Sequence, residues 1–309
     1  MMSTGGTLAG ALAPRRLRQR RPPSKTQLYT LLFLMVLFWA YNFVVVKTAI
    51  QHLPGMVMVG LRIALATLFI VPYYWSRGPH HVEWSELPRL MLIGALGVSV
   101  NQFFFVLGIE RTSVAHAAIT VGLSPMIVLA MSSWVGHERP SARKIVGMAV
   151  ALGGVLFIQL SKGGDSRATL LGDFCIFLSI VSFAIFTVFG KHMTESHGGA
   201  VVNTWAYVGG TLLFAPLALW QGWGFDFSTV PGTVWLGILY MAVFPSVLSY
   251  LIFYWALTHI PASRVSAFSY LNPFLATLFA ILMLGESLSP AFITGGLLVL
   301  LGVFVTERG

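Results

Sequence analysis

Residues 123–138 read LSPMIVLAMSSWVGHE, and residues 271–286 read LNPFLATLFAILMLGE. Both open on Leu-x-Pro, continue through apolar residues and place a glutamate thirteen positions after the proline. One offset of 148 carries Leu123 to Leu271, Pro125 to Pro273 and Glu138 to Glu286. It also carries Phe105 to Phe253, Gly147 to Gly295 and Gly154 to Gly302, pairing residues 103–157 with 251–305 without a gap. Identity across that window is low, but the matches include prolines, glycines and a glutamate. Those types alter backbone geometry or sit at helix ends, so they are the last traces a duplication leaves.

The 309 residues are 56% apolar and only 9% charged, against roughly 25% charged in a soluble domain. No water-exposed surface can be built from that. Six of the nineteen Lys and Arg (Arg15, Arg16, Arg18, Arg20, Arg21 and Lys25) precede the first long apolar run. The net charge of +9 therefore describes tails and loops, and no nucleic-acid partner is expected. The run from Leu28 to Ile50 is longer than a signal-peptide core and lacks a small-residue cleavage site, so it reads as a retained membrane span. Cys175 is the one cysteine, which rules out an intramolecular disulfide and leaves the redox compartment open.

A membrane-crossing helix needs about twenty mostly apolar residues. Such runs occur at about 28–50, 55–75, 88–109, 112–136, 143–160, 170–191, 199–220, 232–257, 260–284 and 290–306. The expected fold is all-α, an integral membrane protein of ten transmembrane helices. A basic cytoplasmic tail (1–27) precedes five spans (28–160), and five more (170–306) precede a short tail (307–309). With the N-terminus inside, thirteen Lys and Arg fall on the cytoplasmic side and three on the other, so both termini are predicted to be cytoplasmic. Five is odd, so the second set enters the membrane upside down relative to the first, as an inverted repeat. Such repeats recur in secondary transporters, with the site near the midplane and alternating access to it. The lipid bilayer is then a partner, the plasma (inner) membrane the expected location, and a monomer sufficient, because ten spans enclose a cavity alone.

Several strings carry a resemblance. Trp39-Ala-Tyr-Asn42-Phe-Val-Val-Val-Lys47 of span 1, Leu61-Arg62 of span 2, Pro125 followed by Gly136-His-Glu138, and Asn272-Pro273 followed by Gly285-Glu286 resemble the EamA repeats of the drug/metabolite transporter superfamily. The resemblance covers nearly the whole chain beyond the basic tail, and the length and layout are similar to YddG-type amino-acid exporters. It implies ten helices in two inverted bundles of five, no ATP and no cofactor, and export of small metabolites. Ser124 stands in the first half where Asn272 stands in the second, a departure from strict symmetry.

A proline within a helix leaves the carbonyl four residues earlier without its donor. Here those are the carbonyls of Val121 and Ser269. They either receive a substrate ammonium or water in a cavity, or mark kinks that let helices pack. Polar residues recur at four-residue spacing, hence on one helix face: His116, Thr120 and Ser124, then Ser246, Tyr250 and Tyr254, then Asn203 and Tyr207. These line a cavity or bond between helices, and Tyr250, Tyr254, Trp255 and Tyr270 add aromatic surface.

Arg62 lies one third of the way into span 2, where a charge costs roughly 2.5–3.5 kcal/mol on insertion scales and is by default a functional hypothesis. Its alternatives are an anionic substrate group, a tie between helices, or snorkelling. The expected substrate-binding set is Asn42, Lys47, Arg62, His116, Ser124, Tyr250, Tyr254, Tyr270 and Asn272, with Pro125 and Pro273 as kinks. Glu138 and Glu286 end the motif on opposite faces, each before a new helix whose dipole favours a carboxylate. They are expected as helix starts or gates.

Other classes lack their signatures. His137-Glu138-Arg139-Pro140-Ser141 lacks the second histidine of a zinc HExxH helix, and Gly122-Leu-Ser124-Pro-Met lacks the closing glycine of a GxSxG elbow. Neither an enzyme nor a bound metal is expected. No GxxxxGK[ST] loop is present for an ATP-driven pump. No Asp or Glu lies near a span centre, which favours facilitated diffusion or weak proton coupling. A channel, or a carrier of drugs, nucleotide sugars or sugar phosphates, is the alternative. Phosphorylated substrates want more buried cations than Arg62 and Lys47 supply, whereas an amino acid fits free carbonyls, Asn272 and Arg62.

Overall fold

The computed structural model describes residues 23–76, 82–112, 120–161, 169–284 and 290–309, excluding the side chains of Lys47, Gln159 and residues 276, 277, 280, 281, 283 and 284. These residues form helices and turns, with no strand among them. In chain order the helices are α1 (Lys25–Ala49), α2 (Gly55–Ser76), α3 (Leu87–Ile109), α4 (Ser124–Trp134), α5 (Ala142–Leu160), α6 (Leu170–His197), α7 (Gly199–Gly222) and α8 (Gly232–Leu257). α9 follows in three pieces, Ala262–Ala267, Phe268–Tyr270 and Leu271–Leu284, and α10 is Pro290–Glu307. Seven of these, α1, α2, α3, α6, α7, α8 and α10, are long and apolar enough to cross a membrane. The other three expected spans fall on α4, α5 and α9, each of which adjoins a stretch outside the described residues.

Local signals set the helix ends. Ser24 Oγ accepts from Gln27 N at 3.1 Å at the start of α1, and Thr169 Oγ1 accepts from Gly172 N at 3.1 Å at the start of α6. Each satisfies one of the orphan N–H groups of a first turn. α6 and α7 meet through the single residue Gly198, at φ 88, a backbone conformation that residues with a Cβ rarely adopt.

Two helices are interrupted by wider turns. α3 is π-helical over Leu96–Val100 and resumes as α-helix at Asn101–Ile109; α8 is π-helical over Ala242–Leu248 and resumes at Ser249–Leu257. The offset of 148 maps Asn101–Ile109 onto Ser249–Leu257 end for end, although the two segments share little sequence. A π-helical turn thus gives way to α-helix at positions 148 apart in the two segments.

Small residues make the closest packing, as expected where lipid supplies no hydrophobic drive between helices. α5 and α10 cross with Gly147 on Gly302 and Thr306, and Gly154 on Gly295 and Val299. The pairing is antiparallel, and each half contributes the equivalent two glycines crosswise. α7 packs against α2, with Gly60 on Ala218 and Thr67 Oγ1 2.7 Å from Thr211 Oγ1, and against α3, with Gly94 on Ala206. Helices of the two halves therefore interlock rather than form separate bundles. Leu68, Leu212, Leu297 and Trp220 face outward, while Arg62, Asn203, Ser246 and Thr187 are buried. That inversion of the usual soluble pattern suits a lipid surround.

One face is sealed by a carboxylate. Glu138, in the α4–α5 connection, accepts from Lys144 Nζ at 3.0 Å, from Ser132 Oγ at 3.1 Å, from Ser263 N at 3.0 Å and from Ser263 Oγ. Ser263 lies in the first turn of α9, so Glu138 caps a helix of the other half. Beside it Tyr29 Oη donates to Glu307 Oε1 at 2.8 Å, and Arg264 Nη1 lies 3.7 Å from the same oxygen. Burial pushes the Glu138 carboxyl up, but the Ser263 O–H and N–H and the Lys144 ammonium outweigh it and hold it below its ordinary value.

Two outcomes follow. Gly154→Val is expected to lower the melting temperature in detergent at a cost of roughly 1–3 kcal/mol, because its Cβ would lie 2.6 Å from Gly295 O. Gly153→Val, whose Cβ meets nothing within 4 Å, should melt like wild type; equal melting of both variants would deny the close crossing. For Glu138, a folded pKa below the unfolded one gives stability that is full above the unfolded value and lost as pH falls through the folded one. The melting temperature should therefore drop as pH is lowered below about 5. Glu138→Gln should weaken that dependence, and at neutral pH it should cost about 3–5 kcal/mol by leaving Lys144 buried and unpaired. An unchanged pH profile in this variant would assign the dependence to another group.

Candidate functional site

A cavity of about 440 Å³ lies among α1, α2, α3, α4, α6, α8 and α9. It reaches the face where α1 turns into α2 and α3 ends: Leu53, Pro54 and Gly55 line it there, beside the exposed Ile50 and Glu110. That face is opposite the Glu138 cluster, since α1 runs from one to the other. The cavity is thus open on one side and closed on the other.

Arg62 contributes the charge. It is only 7% exposed and lines the cavity. Its Nε donates to Ser246 Oγ at 2.8 Å, and Ser246 Oγ donates to Met241 O at 2.8 Å, five residues back in the π-helical turn of α8. The wider turn thereby sets the hydroxyl that holds the arginine. No carboxylate among the described residues lies within ion-pair distance of Arg62, although buried charges are normally paired.

The walls are largely apolar and aromatic. Trp39 packs edge-on against Tyr250 at 5.8 Å and donates Nε1 to Pro245 O at 3.1 Å. Phe105 and Phe183 line the same space. Both repeated proline motifs also reach it, through Val121 and Ser124 in one half and Ser269 and Asn272 in the other. The prolines do not interrupt continuous α-helices, as their sequence position suggested. Pro125 lies in the first turn of α4 after a break at Leu123, and Pro273 follows the 3-10 turn Phe268–Tyr270. First-turn positions tolerate a missing N–H, so the breaks cost little while Val121 and Ser269 still lack the donor four residues on.

Of the expected substrate-binding residues, Asn42, Arg62, Ser124, Tyr250 and Asn272 line one cavity. Tyr254 and Tyr270 do not; both are fully buried, and their hydroxyls have no hydrogen-bond partner among the described residues. Lys47 falls within α1, but its side chain, together with His116 and Glu286, lies outside the described residues. Glu138 lies away from the cavity, in the sealed face described above. Asn101, Gln102 and Ser179 line the cavity and were not singled out from sequence. Asn101 Nδ2 donates to Ser179 O at 2.8 Å and to Ser179 Oγ at 2.9 Å. The available signal was an adjacent pair of amides inside an apolar run.

Comparison with known proteins agrees with this architecture. The model of the EamA-like transporter family matches twice, over residues 27–160 and 170–308. A transporter of Archaeoglobus fulgidus is 30% identical over 92% of this chain and 97% of its own length. A protein of Salmonella typhimurium named as a probable amino-acid metabolite efflux pump is 26% identical over 90% of this chain and 94% of its own. A solved crystal structure superposes with a TM-score of 0.77 at 17% identity, covering 92% of this chain and 98% of that one, and so shares the fold. With both halves matched and seven membrane-length apolar helices, the chain is a multi-pass integral membrane protein that belongs to the EamA-like transporter family.

Proposed function

We propose that this protein is a secondary transporter that exports amino acids, aromatic ones included, with broad specificity and by alternating access. The observation that carries the reading is the meeting, in one cavity, of a buried arginine with no carboxylate partner among the described residues and the residues Val121 and Ser269, each four positions before a proline. An amino acid brings one anionic and one cationic end. The relative named for amino-acid metabolite efflux supports the substrate class.

Ten spans in two inverted halves form the scaffold of this reading, each half an EamA repeat of five. Its supports are the doubled family match, the recurrence of the π-helical turns at the offset of 148, and the antiparallel crossing of α5 and α10. Both termini are cytoplasmic, in the inner membrane, so the Glu138 cluster is the cytoplasmic gate and the cavity faces outward. A sealed face favours a carrier over a channel. Among the described lining residues the one carboxylate is Glu110, exposed at the mouth, so transport is facilitative rather than tightly proton-coupled.

Counterflow in proteoliposomes tests this. Vesicles preloaded with unlabelled Phe, Trp, Thr, Met, Lys, Glu or a nucleotide sugar are assayed with and without a proton gradient. Saturable exchange of amino acids, indifferent to the gradient, is expected. Exchange of the nucleotide sugar alone, or unsaturable flux, would overturn the reading.

A further inference from the structure

We infer that the cavity is a two-pole site selecting for a single carboxylate: Arg62 takes the carboxylate, and Asn101 Oδ1 with the kink carbonyls takes the ammonium more weakly. This rests on the amino-acid reading above and specifies which end of the substrate is selected.

The anionic pole follows from the state of Arg62. A guanidinium does not deprotonate in proteins, so burial cannot be relieved by losing the proton. Its Nε is committed to Ser246, while Nη1 and Nη2 have no hydrogen-bond partner among the described residues. Two parallel N–H donors fit the two oxygens of one carboxylate. A phosphate dianion would bring a second charge that no other described cavity residue neutralises.

The cationic pole is built from neutral acceptors. Asn101 Nδ2 donates to Ser179 O and Ser179 Oγ, which fixes the amide orientation and leaves Oδ1 as the acceptor, where Gln102 Nε2 donates to it at a long 3.5 Å. Val121 and Ser269 add carbonyls on the same cavity. A hydrogen bond to an ionised group is roughly twice as strong as one between neutral groups, and each pole pairs one ion of the substrate. Only the carboxylate, however, meets a full opposite charge. Loss of the substrate carboxylate must therefore hurt more than loss of its amine.

Competition against labelled Phe counterflow, using 3-phenylpropionate and phenethylamine, reads this directly on the wild-type protein. Phenethylamine is expected to compete at least about tenfold less well than Phe, and 3-phenylpropionate better than phenethylamine. Arg62→Gln should erase the preference for the carboxylate. Asn101→Ala should weaken Phe while leaving 3-phenylpropionate unchanged. Phenethylamine competing as well as Phe, or Arg62→Gln retaining the preference, would overturn the inference while the transport reading stands. Should Arg62→Gln not reach the membrane, the wild-type series decides alone. Counterflow with no amino acid would instead remove the transport reading, and the inference with it.

Discussion

In hydrocarbon every backbone N–H and C=O must find its partner within the protein, and irregular backbone survives only where it is buried or lines a cavity. The fold depends on that constraint. Each departure from α-helix near the centre of the molecule adjoins the cavity. The π-helical turn of α3 ends immediately before Asn101, and that of α8 carries Ser246, which holds Arg62. The break at Leu123 and the 3-10 turn Phe268–Tyr270 bring Val121, Ser124, Ser269 and Asn272 to the cavity. The two π-helical turns end at positions 148 apart, and the other two interruptions each precede one of the paired prolines. The polar cavity lining and the irregular backbone are one feature of the fold, because departures from α-helix are tolerated at that depth only where they are buried or line a cavity.

A buried ion pair and a buried lone charge divide the molecule. Lys144 and Glu138 satisfy each other and are supplemented by serine hydroxyls and a backbone N–H, so that face is closed. Among the described residues Arg62 is supplemented by Ser246 alone. A buried pair tolerates dehydration when its remaining lone pairs are also bonded, whereas a lone charge remains costly until something charged arrives. The two ends of the molecule thus differ in how far their buried ions are satisfied.

Much of this was legible in the sequence, for physical reasons. Proline, glycine and intramembrane charge leave signals in residue type alone, so the repeat, Arg62, Asn42 and Asn272 stood out. The π-helical turns did not, since an extra residue per turn has no compositional signature. The stripe Ser246, Tyr250, Tyr254 assumed that every member of one helix face reaches the same space. In the structure Tyr250 lines the cavity while Tyr254 lies one turn further toward the sealed face, packed on Gly199. Spacing reports the face of a helix but not the depth. Glu138 precedes α5 in sequence yet bonds Ser263 of α9, 125 positions away, and no local pattern announces a contact of that separation.

The sealed half also carries an opposing cost. Tyr254 Oη, Asn203 Oδ1, Arg264 Nε and Glu307 Oε2 are buried there with no partner among the described residues, and each orphan costs about 1–3 kcal/mol while it stays dry. Against them stand the four hydrogen bonds that converge on Glu138, each contributing a similar amount or somewhat more. The closed face is therefore held by a difference between opposed quantities of the same order. A ligand shifts a conformational equilibrium only by its differential affinity for the two states. On the proposed reading, a carboxylate seated on Arg62 would contribute a few kcal/mol, which is comparable with a gap of that size.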